Sequence, residues 1–142
     1  MDSEGILRKY LRQAMISSTE DVAEYARTHH QFTSRTGQLE RSIKSGYTED
    51  GSEGWVELDR TIAKYGPYVH QGTPPHIIEP RIKKALRWFT SQGEVRFAKR
   101  VHHPGYKGDP FLFRALDERE DNVFRIFCDR VEAATKEIAK EL

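Results

Sequence analysis

Positions 7, 11, 15, 18, 22, 25 and 29 (Leu7, Leu11, Met15, Ser18, Val22, Tyr25, His29), with Ala14 and Ala26 beside them, recur at spacings of three and four. That spacing lays one stripe along a helix. It predicts a helix over residues 4–29 with Ser3 as its cap, about 39 Å long at 1.5 Å per residue. A helix of that length is expected to extend beyond its own core toward a neighbour. A second helical start follows at Thr36, with Leu39 and Ile43 one turn apart; Leu39 occupies the position a capping box would give to Glu or Gln.

The period then changes from about 3.6 to 2. Residues 42–48 alternate, with Ile43, Ser45 and Tyr47 on one face, and residues 55–59 alternate around Val56 and Leu58. The polar run 49–54 between them predicts an antiparallel hairpin. Residues 60–65 fit one helical turn leading into Gly66-Pro67. Ile82, Ala85, Leu86 and Phe89 also fit a helix, but Val95, Phe97, Lys99 and Val101 alternate, and a strand there needs a partner. We therefore expect residues 83–89 to be a strand, joined by the turn 90–93 into a second hairpin. Asp109-Pro110 predicts a cap followed by proline at the first helical position, and a helix to the end. Its stripe is Leu112, Leu116, Val123, Phe127, Val131, Ile138 and Leu142, widened by Phe113, Phe124 and Ala134. A carboxylate at Leu116 or Phe127 is accordingly expected to abolish folding. The fold class is α+β: a small, mostly antiparallel sheet of two hairpins, packed by long N- and C-terminal helices.

Composition narrows this further. At 142 residues the chain is expected to be one domain, residues 1–142, with a core that needs no staples. The single cysteine, Cys128, excludes an internal disulfide and sits in an apolar helical pattern, as a small core residue would. No apolar run approaches the roughly 18 residues of a spanning helix, and residues 1–13 lack the apolar core of a signal peptide. The expectation is a soluble protein made in a cytoplasm, with no membrane partner.

All six prolines and four of the six histidines lie between residues 65 and 113. Long regular helix is thereby excluded from most of this stretch, which reads as shaped loops around short strands. Charge is concentrated there too. Residues 81–107 hold eight basic side chains (Arg81, Lys83, Lys84, Arg87, Arg96, Lys99, Arg100, Lys107) against Glu94, a net of +7. The remainder holds fifteen basic and twenty-one acidic side chains, a net of −6. Such a bipolar chain can dock head to tail with its own copies or offer a basic face to an anionic partner.

Enzyme chemistry would have to use His70, His76, His102 and His103 with Glu79 and Asp109. A metal site needs three or four such ligands converging, here from separate loops and without an HExxH or paired-cysteine motif. No Gly-x-Ser-x-Gly elbow is present, and residues 105–108 lack the Ser/Thr of a phosphate-binding loop. No catalytic residue, cofactor site or metal ligand is assigned. Trp88, Phe89, Phe97 and Tyr106 interleave with the basic residues, as a nucleic-acid surface requires, although strands bury aromatics for other reasons too.

In order along the chain, Thr36-Gly37-Gln38-Leu39-Glu40-Arg41-Ser42-Ile43, then Tyr65-Gly66-Pro67-Tyr68-Val69-His70-Gln71-Gly72-Thr73, the run 80–87, His103-Pro104-Gly105, and Pro110-Phe111-Leu112-Phe113-Arg114-Ala115-Leu116 resemble the neck and tail-completion proteins of tailed bacteriophages and prophages, also labelled head-tail joining or minor tail components. The likeness spans about residues 36–116. It departs from the family's pattern in Glu40-Arg41, the polar turn at 50–54 and glycine rather than alanine at 66. The resemblance implies a non-enzymatic virion protein, made in the host cytoplasm. It would assemble as a homo-oligomeric ring beside head-closure and tail-tube or tail-terminator proteins, with contact to DNA in the channel. The candidate assembly interface is Tyr68, His70, Gly72, Thr73, Lys83, Lys84, Arg87, Arg96, Lys99, Arg100, His103 and Lys107. The alternatives are a nucleic-acid-binding module using residues 81–107 and a histidine-dependent metallohydrolase.

Overall fold

A computed structural model describes residues 2–78, 86–89, 95–98, 101–103 and 105–142, with the strand segments between 76 and 103 described as backbone. Two long helices frame the chain: α1 (Ser3–Thr28) and α4 (Phe111–Glu141). Between them come α2 (Gln38–Ser42), β1 (Ile43–Tyr47), β2 (Gly54–Leu58) and α3 (Gly66–Gln71). Six short strands follow: β3 (Gly72–Thr73), β4 (His76–Ile78), β5 (Leu86–Phe89), β6 (Val95–Ala98), β7 (Val101–His103) and β8 (Tyr106–Lys107). The architecture is the α+β arrangement expected, two antiparallel hairpins with long terminal helices.

α1 and α4 run antiparallel, because their polar partners advance in opposite directions. Tyr10 donates to Glu137, Arg130 to Gln13, Arg119 to both oxygens of Asp21, and Tyr25 to Glu118. Arg119 holds the Asp21 carboxyl below its ordinary pKa through those hydrogen bonds, against the opposing effect of burial. The β1–β2 hairpin lies along α1, with Arg27 donating to the carbonyl of Ile43 at one end and Arg12 to that of Glu49 at the turn. Gly54 lets β2 approach α1 closely: a Cβ there would lie 2.5 Å from the sulfur of Met15.

The buried line on each helix differs from the expected stripe. On α1 it includes Ile6, Ala14, Ser18, Val22 and Ala26, whereas Leu7 and His29 are exposed. Small residues let the helix axes come close, and the axis separation follows the side chains at the contact. On α4 the fully buried positions are Phe111, Ala115 and Ala134, while Leu116, Phe113, Phe124, Val131 and Leu142 are exposed and Phe127 is half-buried. Cys128 is exposed as well, so it is not a core residue.

Helix starts fall one residue from where the cap rules put them. Asp2, not Ser3, accepts the amide of Gly5 at 2.7 Å. Gly37 in a left-handed conformation, not Thr36, occupies the cap position of α2. The turn read over residues 60–65 is followed by a separate helix, α3, into which Pro67 fits because the first turn of a helix needs no donor from it. Asp109 also lies one residue outside its expected cap position, and its carboxylate serves another segment of the chain.

The second hairpin is longer than read. Gly72 faces Lys107, and in unbroken register His76 faces His103. Between those rungs stand Pro74 and Pro75, which have no N–H to give a ladder. Farther out Leu86 faces Ala98. Seven residues separate β4 from β5 on one strand and two separate β6 from β7 on the other. Leu86–Phe89 confirms strand rather than helix there; residues 83–85 and 99–100 lie outside the described residues. Among the described residues β5 and β6 make their substantial contacts with each other and not with the helices, so they form an arm carried by β3 and β8.

The base of the arm passes backbone against backbone. Gly72 has φ +84°, and a Cβ on it would stand 2.4 Å from the carbonyl oxygen of Tyr106 and 2.6 Å from the amide nitrogen of Gly108. Gly72→Val should strain this rung by about 1–3 kcal/mol and part the arm from its base. Limited trypsin digestion is the check: cleavage between residues 81 and 107 should speed up, and an unchanged rate would show that the close approach is not needed.

Candidate assembly interface

The residues with the most chemical promise turn out to hold the fold together. Asp109 is 2% exposed. Its Oδ2 accepts the amides of Gln31 at 2.6 Å and Phe32 at 2.9 Å, and its Oδ1 accepts from Arg114 at 2.5 Å. Burial alone would raise its pKa, but the hydrogen bonds from Arg114 and the two amides more than offset it, so the carboxyl sits below its ordinary value. Its amide donates to the carbonyl of Val69. One residue, through its side chain and its amide, thus ties the loop after α1, the end of α3 and the start of α4 together.

His70 lies beside it, 8% exposed, against the edges of Phe111 and Phe113. Its Nε2 accepts the amide of Leu112 at 3.3 Å, which requires a neutral ring nitrogen there. Burial lowers its pKa, keeping it neutral, with Asp109 acting in the opposite sense. His70 is therefore buried and is corrected from a surface contact to a structural residue of the arm's base. The other candidates scatter. Tyr68 is 64% exposed and Lys107 is exposed, whereas Gly72 and Thr73 are half-buried and paired in the arm's first rungs. Arg87 and Phe97 share a rung, as do Trp88 and Arg96, and His76 and His103. Lys83, Lys84, Lys99, Arg100 and Glu79 lie outside the described residues. Among the described residues no group of three His, Cys, Asp or Glu is placed to hold a metal ion, and no helix is long and apolar enough to cross a membrane.

The rungs also change how the arm reads. Within each strand apolar and basic residues alternate, but the register places Leu86 and Trp88 with Arg96 and Ala98 on one face, and Phe89, Val95 and Phe97 with Arg87 on the other. Neither face is polar throughout. A two-stranded ribbon is marginal alone in water, and one with apolar residues on both faces gains from being covered.

A second surface was missed by sequence reading. A groove of about 390 Å³ runs between β2 and α4 with α1 as its floor. Met15 and Val22 line the floor, Trp55 and Val56 one wall, Leu116 and Phe127 the other. Trp55 lies flat across Gly46 of the neighbouring strand, where a Cβ would meet the indole at 2.5 Å, and it remains 43% exposed. Of the two floor hydroxyls, that of Thr19 bonds to the carbonyls of Met15 and Ile16, and that of Ser18 has no partner among the described residues. Beyond the groove Phe124 and Val131 continue the apolar strip of α4. The signal for it was present in sequence: the apolar positions of α4 span more of its circumference than one contact can bury. A larger concavity near residues 31–40 is more polar, and the Glu40 carboxylate inside it already accepts from Ser34 at 2.6 Å.

Comparison of the chain with family profiles, with curated proteins and with solved structures finds no match in any of the three.

Proposed function

We propose that the chain is a structural virion protein of a tailed phage or prophage, a ring-forming neck or tail-completion component that joins head to tail without catalysis. The observation that carries the reading is the uncovered apolar strip on α4, which includes Phe113 at 68% and Phe124 at 71% exposure. Contiguous apolar surface on a small domain marks an interaction site. A charge-segregated arm accompanies it, and a ring needs two different complementary surfaces on every copy. Three of the sequence stretches that resemble the neck proteins are α2 with its leading loop, α3, and the start of α4, and α3 adjoins β3 at the arm's base.

Complementation of a phage lacking this protein tests the reading. A variant with Lys83, Lys84 and Arg87 replaced by glutamate should yield DNA-filled heads and finished tails that fail to join. The pairing of arginine with aromatic residues on successive rungs of the arm favours a second reading, a nucleic-acid-binding module. Normal joining by this variant, together with collapse of a DNA affinity that falls steeply with salt in the parent protein, would select the second reading.

A further inference from the structure

We propose that the groove between β2 and α4 seats the β5–β6 arm of a second copy of this chain, so that copies add head to tail. The proposal rests on the assembly reading above and names the contact that makes it. Three observations on the two surfaces carry it.

The groove is apolar but flanked by acid. Asp117, Glu120 and Asp121 follow Leu116 on α4, are exposed, and make no ion pair among the described residues; Glu118 and Arg119 are already taken by Tyr25 and Asp21. The arm has the opposite character: net +7 over residues 81–107, with one arginine and three apolar residues on each face of β5–β6. Apolar side chains of one face, Leu86 and Trp88 or Phe89 and Phe97, supply aromatic and aliphatic anchors for such a groove. The arginine of the same face supplies the charge that its acidic flank lacks. Finally, among the described residues β5 and β6 make their substantial contacts with each other, and the groove of their own chain is lined by α1, β2 and α4. Seat and arm are different surfaces, so the contact is heterologous and each copy that donates an arm still offers a groove.

Cys128 provides the test. It is exposed and stands one turn beyond Phe124, on the strip that continues the groove. In the full chain carrying Ser91→Cys, a short bismaleimide should link residue 91 of one copy to Cys128 of another, giving a ladder of dimers, trimers and higher species. The ladder should vanish on adding Cys128→Ser. Links of 91 to 91 only, links within one chain when isotopically mixed copies are mapped by mass spectrometry, or no links at all would each overturn the proposal. In sedimentation, Arg87→Glu with Arg96→Glu should raise the self-association constant Kd by about tenfold or more, as should Asp117→Lys with Glu120→Lys and Asp121→Lys, and mixing the two variants should restore binding. Failure of the mixture to restore it, with both variants folded by circular dichroism, would also overturn the proposal. The two readings separate cleanly. A ladder from a protein that plays no part in head-tail joining leaves this contact standing without the neck role. Normal joining with no ladder leaves the neck role without this contact.

Discussion

Replacing Asp109 by alanine should cost about 3 kcal/mol of stability at neutral pH, a large share of the 5–15 kcal/mol that holds a domain of this kind. The change strands the amides of Gln31 and Phe32 and the guanidinium of Arg114 at once. The Asp109→Asn variant would keep one acceptor oxygen and should lie between parent and alanine variant in stability. The effect carries a pH signature. The folded carboxyl titrates below its unfolded value of about 3.9, so its stabilisation is fully present above that pH and is lost as pH falls through the lower folded value. Urea melts of parent and Asp109→Ala should therefore differ widely at pH 7 and converge toward pH 2. A constant difference across that range would mean that the charge of Asp109 contributes nothing and only its shape matters.

Ala115→Asp should prevent folding, and its neighbour Leu116→Asp should not. Ala115 is 1% exposed within the main core, beside Phe111, Val22 and Ala26, so a carboxylate there has neither room nor a partner. Burying it unpaired costs several kcal/mol. Leu116 is 56% exposed, and a carboxylate there remains hydrated. Cooperative melting of the Leu116 variant beside an insoluble or molten Ala115 variant is the expected pair. The reverse order would restore the stripe that the sequence alone suggested.

The contrast between these two neighbours shows where sequence reading succeeds and where it stops. The fold class was legible because three signals agree: a 3.6 period over α1 and α4, alternation over β1 and β2, and a polar turn between them. The face each long helix buries was not. On α4 the large residues Leu116, Phe113 and Phe124 dominate any periodicity count, whereas helix contact selects Ala115 and Ala134, which a hydrophobicity pattern weights lightly. The arm was half legible for a related reason. Alternation within a strand fixes its two faces, but only the register of Leu86 with Ala98 says which face of the partner joins them. Of the candidate interface, Tyr68 and Lys107 are exposed. His70 is buried because its aromatic neighbours Phe111 and Phe113 come from a segment far along the chain, at the start of α4, which no local motif could reveal.

The pairing of α1 with α4 sets the timetable on which the newly made chain can fold. Tyr10 meets Glu137 across 127 residues, and Asp21 meets Arg119 across 98. At the usual elongation rate of about 5–20 residues per second, α1 leaves the ribosome roughly 4–16 s before α4 begins to follow it. During that interval the β1–β2 hairpin, which comes soon after α1, can cover only the flank it packs on; Tyr10, Gln13 and Asp21 wait for the last helix. Contacts so distant in sequence slow folding through the entropy of closing the intervening loop. Full-length chain released from a stalled ribosome should thus acquire its cooperative melt only after α4 emerges. Nascent chains arrested between β8 and α4 should remain sensitive to protease along α1.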